Sequence, residues 1–254
     1  MLNCATIALL ALTACLGDPD PAVRDKIAFE RFSAALRSGT VPVGEMEAIR
    51  ERLVSMVGLP DPQGFQRPFV ILTLAEVART DRVKAWMTDA DRDTLVDTAA
   101  KYLAGVTDYR AFDNKEGFRH GVAHGADFAM QLALNPALTK AQLDRLLSAI
   151  AVQVAPRADV AYYAGEPDRL ARPVMFIAQR KRHTDAEWKT WFESMMNPAP
   201  MAAWNAAFES ELGIKRHNNA RAFLLSVYAT AATTEDAGIK QLLGPVRDAL
   251  KLVP

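Results

Sequence analysis

The stretch that decides the fold is Leu16-Gly-Asp-Pro-Asp-Pro-Ala-Val-Arg-Asp25. Gly, Asp and Pro together make a tight corner, because Pro fixes φ and removes a donor while Asp bonds its own backbone. The apolar residues that follow, Val23, Ile27, Ala28, Phe32, Ala35 and Leu36, recur at helical spacing. Such a corner lets two antiparallel helices meet, with the Val packed inward. A weaker corner, Leu59-Pro-Asp-Pro62, follows the helical run of Met46, Ile49, Leu53, Met56 and Val57. No strict period continues beyond it, so the repeat is degenerate.

Outward from these corners, the whole chain reads as helix. Capping boxes at Thr139-x-x-Gln142 and Thr184-x-x-Glu187 mark starts. Stops are expected at Gly39, at Gly58 before Pro60, at Asn135 before Pro136, at Asn197 before Pro198, and at Gly213. The count is about twelve helices of ordinary length. No stretch reads as a strand. The expected architecture is all-α: a HEAT-like α-solenoid or α/α superhelix of antiparallel helix pairs. No Gly/Ser linker or charge block divides residues 17–254, which are expected to form a single helical domain. The non-helical stretches 107–118 and 156–165 are the natural places for function.

Composition narrows the function. The chain has 254 residues, half of them apolar, with Lys+Arg and Asp+Glu balanced at 30 each. At this length roughly three quarters of the unfolded surface is buried on folding, so no staple is required. Zero net charge disfavours nucleic-acid binding, which calls for a clustered cationic face. Cys4 and Cys15 lack C-x-x-C spacing, so neither zinc-finger nor dithiol chemistry is indicated. Residues 1–16 read either as a first helix burying Ile7, Leu10, Ala11, Ala14 and Cys15, or as an imperfect lipoprotein-like signal with Cys15 as the lipidated residue. The first is preferred, because no Lys or Arg precedes the apolar run. The run is too short to span a bilayer. A cytoplasmic location is favoured, and a periplasmic or lipid-anchored one follows if the segment is a signal.

The densest chemistry lies in Gly117-Phe-Arg-His120-Gly-Val-Ala-His124-Gly-Ala-Asp127. On a helix, positions i, i+4 and i+7 fall within about 60° of arc, which puts His120, His124 and Asp127 on one face, with Gln131 a turn further. Two imidazoles and a carboxylate suit a divalent metal such as zinc. The Glu that follows the first His in metalloproteases is replaced by Gly121, so a peptidase of that kind is not implied. Gly121 and Gly125 form an adjacent smooth stripe for close helix approach. The alternative is that both imidazoles are packed and hydrogen-bonded within the core.

Asp108, Arg110 and Asp113 precede this segment, and Arg110 is expected to be buried and paired with Asp108, Asp127 or Glu166. Glu166 is a further acid–base candidate. Tyr163, Arg169 and Asn218 are candidate binding residues, and His217 a candidate further metal ligand. His183, before a helix cap, is expected at the surface, and Trp188, Trp191 and Trp204 in helix packing.

Asp-Pro-Asp-Pro-x-x-Arg-Asp25, Arg67-Pro-Phe-x-x-Leu-x-Leu-Ala-Glu76-Val-Ala-Arg79-x-Asp81, and Asp108-Tyr-Arg-x-Phe112 with the His120/His124/Asp127 segment together resemble the bacterial domain-of-unknown-function 2785 family. The usual Trp after the segment's first Gly is Phe118 here. The resemblance implies an all-helical domain without an assigned activity.

Two function classes follow. A helical scaffold would bind a peptide, protein or small-molecule ligand along its surface. A metal-assisted or His/Asp acid–base hydrolase would line a cleft with His120, His124, Asp127, Asp108, Arg110, Glu166 and His217, using the metal to polarise water and Arg110 to hold an anionic group. The scaffold is preferred, because no complete catalytic motif is present.

Overall fold

The computed structural model describes residues 8–253. The all-α expectation holds. The chain divides into two compact units, residues 1–138 and 139–254, where a single domain is expected from composition. The boundary needs no flexible linker, since it falls between Leu138 and the N-cap Thr139, and a short helix–helix turn carries no compositional mark.

Among the described residues the first unit begins with a three-ten turn, Leu9–Cys15, that buries Leu12, Thr13 and Cys15. Leu10, Ala11 and Ala14, assigned to the inner face on an α-helical period, are exposed instead, because three residues per turn rotate the face. Ile7 and Cys4 lie outside the described residues. After the corner, a π-helical segment, Ala22–Phe29, runs into α1, Glu30–Ser38. Its wide i→i+5 turns, as in Glu30 N–H to Asp25 O, shift the register. Arg24, Ala28, Phe32 and Leu36 face inward at intervals of four, while Val23, expected inside, is only half-buried.

Helix α2, Val43–Val57, packs on α3, Gln66–Val83, and α3 packs along α5, Gly121–Ala133. Both α3 and α5 are buried nearly all round, which makes them the centre of the unit. Helix α4, Asp89–Ala104, covers the other side of α5. The glycine stripe does what close approach requires. A Cβ on Gly125 would lie 2.9 Å from Leu103 Cδ1 and 3.2 Å from Tyr102 Cε1, and one on Gly121 would lie 3.2 Å from the Tyr102 hydroxyl. The loop before α5 holds the only strands among the described residues, β1, Phe112–Asp113, and β2, Gly117–Phe118, paired antiparallel. Two residue pairs are too short for a period-2 pattern to show.

The second unit contains α6, Lys140–Val154; α7, Glu166–Gln179; α8, Asp185–Met195; a three-ten turn, Trp204–Glu209; α9, Glu211–Thr233; and the short α10, Ala237–Lys240, and α11, Leu243–Leu252. Both expected capping boxes form, at Thr139 and Thr184. A third, Thr88 with Asp91, starts α4. Gly213 ends no helix. It lies in the first turn of α9, capped by Ser210, where a Cβ would sit 2.3 Å from Ala207 O. The residue is there for close approach to the preceding turn, which its sequence position does not distinguish from a stop. No helix among the described residues is long and apolar enough to cross a membrane.

Candidate functional site

The histidine segment is half helix, half corner. His120 is not the first helical residue but the N-cap of α5, in the left-handed region at φ 56°, ψ 37°. Its ring lies nearly flat against Phe118, 5.0 Å between centroids at 17°. His124, one turn into α5, meets the His120 ring at 5.7 Å and the edge of Phe69 at 5.1 Å, and its Nδ1 sits 3.2 Å from the Pro68 carbonyl of α3. Phe112 extends the row to the surface, 4.8 Å from Phe118. His120, His124 and Asp127 are all buried. Among the described residues no group of three or more His, Cys, Asp or Glu side chains is arranged to hold a metal ion. Of the donors expected to hold zinc, His120, His124 and Asp127 lie in the first unit and His217 in the second.

The corner geometry explains the arrangement. A left-handed His120 turns the chain from the hairpin into α5, and Arg119 beside it is buried, donating from Nε to Gln63 O at 2.9 Å and from Nη2 to Glu116 Oε2 at 2.8 Å. Its guanidinium stacks 4.0 Å from the Phe65 ring centroid. Arg24 also stacks on Phe65, at 4.3 Å. Arg24 is fully buried and donates to Asp25 Oδ1 at 2.8 Å, Asp18 O at 3.1 Å and Glu116 O at 2.8 Å. The opening corner, the hairpin and the start of α3 are thus clamped by two arginines on one phenylalanine.

Arg110, expected to be that buried cation, is exposed, with 54% of its side chain accessible. Its expected partner is right in one respect: the guanidinium grips Asp108 through both oxygens, Nε to Oδ1 at 2.8 Å and Nη2 to Oδ2 at 2.5 Å. Residues two apart can pair at the surface, so charge crowding before α5 does not demand burial. Although burial would raise it, the Arg110 hydrogen bonds hold the Asp108 carboxyl below its ordinary value.

Asp108 also lines a cavity of about 450 Å³ with Asp61, Arg67, Lys101, Tyr102 and Gly121. Neither imidazole lines it. Its polar groups are largely committed to structure. Asp61 accepts N–H bonds from Gly64 at 3.0 Å and Arg67 at 2.8 Å, Lys101 pairs with Asp97, and Tyr102 donates to Gly121 O at 3.3 Å. Burial, reinforced by the Asp61 and Asp108 carboxylates, pushes the Tyr102 phenol well above its ordinary range, so it remains a donor.

Glu166, Tyr163, Arg169, His217 and Asn218 belong to the second unit, not to that of His120. Glu166 is buried at the start of α7 and accepts from Ala164 N–H at 2.9 Å. Tyr163 and Asn218 are exposed, and Arg169 is half-buried. His217 is buried, with Nδ1 3.2 Å from Asn218 Oδ1 and its ring 5.0 Å from Phe208. The residue that sequence reasoning missed is Asn219, which pins loop 156–165 by accepting from Tyr162 N–H at 2.9 Å and donating to Val160 O at 2.9 Å.

His183 is buried, not at the surface as expected, and its Nε2 lies 2.6 Å from Asp144 Oδ1 beside Trp188. Residue type before a cap says nothing about the neighbouring helix, and α6 supplies that carboxylate. Lys140 bridges Asp144 and Glu187, each at 3.0 Å.

Fold and site together define an all-helical protein whose paired histidines are buried where the hairpin meets α5. The match to the family of proteins of unknown function designated DUF2785 spans residues 53–229. The chain belongs to that family. Comparison with curated proteins and with solved structures gives no match.

Proposed function

We propose that this chain is a non-catalytic helical scaffold that binds a peptide or protein partner. The observation that carries the reading is the packing of His120 and His124, one stacked on Phe118 and the other held between Phe69 and the Pro68 carbonyl. Imidazoles that turn over a substrate must reach it, whereas these serve as the joint between hairpin, α3 and α5. Helical arrays that present surfaces between their helices commonly bind polypeptides there.

A second reading, a metal-assisted or His/Asp acid–base hydrolase, is favoured by one observation, the left-handed backbone of His120, since such conformations cluster at functional sites. Panning a phage-displayed random peptide library against the full chain separates the two. The scaffold reading expects enriched ligands that bind the parent and the His120→Gln variant alike. It is overturned if no ligand enriches, or if binding disappears with the imidazole while the variant stays folded.

A further inference from the structure

The first unit carries a groove of about 210 Å³ where the end of α1, the start of α2 and the end of α3 meet. Its walls include Leu36, Met46, Val83 and Trp86. Val83 is 64% exposed, and Trp86 is held in place by its indole N–H, which donates to Thr80 Oγ1 at 2.9 Å. The volume is below that of pockets for drug-sized ligands and suits one or two side chains of a polypeptide.

Charge selects among polypeptides. The lining contains Arg37, Arg79 and Lys84 and no carboxylate. Arg37 is neutralised by a two-pronged pair with the buried Glu76, at 2.8 and 2.6 Å. Arg79 and Lys84 enter no ion pair among the described residues, and neither does Arg82 nearby, whose Nε is buried without a hydrogen-bond partner. Burial and then the neighbouring Arg79 charge hold the Arg82 guanidinium below its ordinary value. The C-terminal dipole of α3 offsets roughly half a charge, against three unpaired cations. An anchored aromatic, an exposed aliphatic and an unpaired cationic rim form the pattern of an interface hot spot.

Resting on the scaffold reading, we infer that this groove is the docking site for an acidic amphipathic peptide segment, which seats an apolar side chain against Val83 and Trp86 and sets Asp or Glu against Arg79 and Lys84. The same displayed library tests it, with enriched ligands measured by fluorescence polarisation against the parent and the folded variants Val83→Asp and Lys84→Glu. Expected ligands combine a large apolar residue with neighbouring Asp or Glu, lose about tenfold or more in affinity to either variant, and weaken as salt rises. Ligands that enrich but are basic, or that bind both variants like the parent, overturn the inference and leave the scaffold reading standing. A library that yields no ligand overturns both. If phosphatidylserine vesicles co-sediment with the parent and not with Lys84→Glu, and no peptide enriches, the rim is a membrane contact and the inference fails.

Discussion

Arg24 lies in the corner whose spelling announces a helix turn, and it is fully buried there. Its guanidinium holds Asp25, two corner carbonyls and the Glu116 carbonyl while stacking on Phe65. Arg24→Ala removes a fully buried guanidinium from four part-buried acceptors and from the Phe65 ring, and is expected to cost about 3 kcal/mol in urea unfolding, with little rescue by Lys, which lacks the planar fork. Arg110→Ala, by contrast, opens a half-exposed pair and should cost about 0.5 kcal/mol. Equal costs for the two would contradict this division. His120 gives a third test. At φ 56° a side chain other than Gly is strained, so His120→Gly should be more stable than His120→Ala by about 1 kcal/mol. The residue types of this clamp are visible in the sequence. Which arginine is buried is not, because Phe65, the ring both arginines share, lies about forty residues from one and fifty from the other.

Between elements, Asp81 joins the end of α3 to the start of α4 and the end of α5. Its carboxylate accepts from Arg92 at 2.8 and 3.0 Å, from the Trp86 and Met87 N–H groups at 2.9 and 2.8 Å, and from Asn135 at 2.7 Å. Burial would raise its pKa, but these donors together hold it below the ordinary value. A depressed folded-state pKa adds stability that is present above the unfolded value, about 4, and lost as pH falls through the folded value. Asp81→Asn should therefore destabilise by about 3 kcal/mol at neutral pH and flatten the acid limb of the parent's stability profile. An acid limb of unchanged steepness would contradict this. Glycines give a matched pair: Gly44→Ala on α2 meets open space and should gain up to about 1 kcal/mol, while Gly213→Ala drives a Cβ into the Ala207 backbone and should lose stability in the same melts. Helix existence, two capping boxes and the Gly121/Gly125 stripe were all legible, because they are written within one or two turns. The π-helical shift at Ala22–Phe29 was not, and neither was the role of Gly213, which the Ala207 backbone packed against it sets.

For the molecule as a whole, local period gives the all-α class, whereas the division at Leu138/Thr139 depends on which helices bury one another, and an ordinary helix–helix turn conceals it. The histidine segment shows the same limit. Spacing places His120, His124 and Asp127 together, yet it cannot say whether the shared face opens to solvent or closes on Phe118, Phe69 and Pro68. A non-catalytic scaffold requires closure. Diethyl pyrocarbonate modification of the native protein, read residue by residue by peptide mass spectrometry, tests that most directly. Closure predicts that His120 and His124 react far more slowly in the native chain than in the urea-unfolded one, and rapid modification of either imidazole in the folded protein would contradict it.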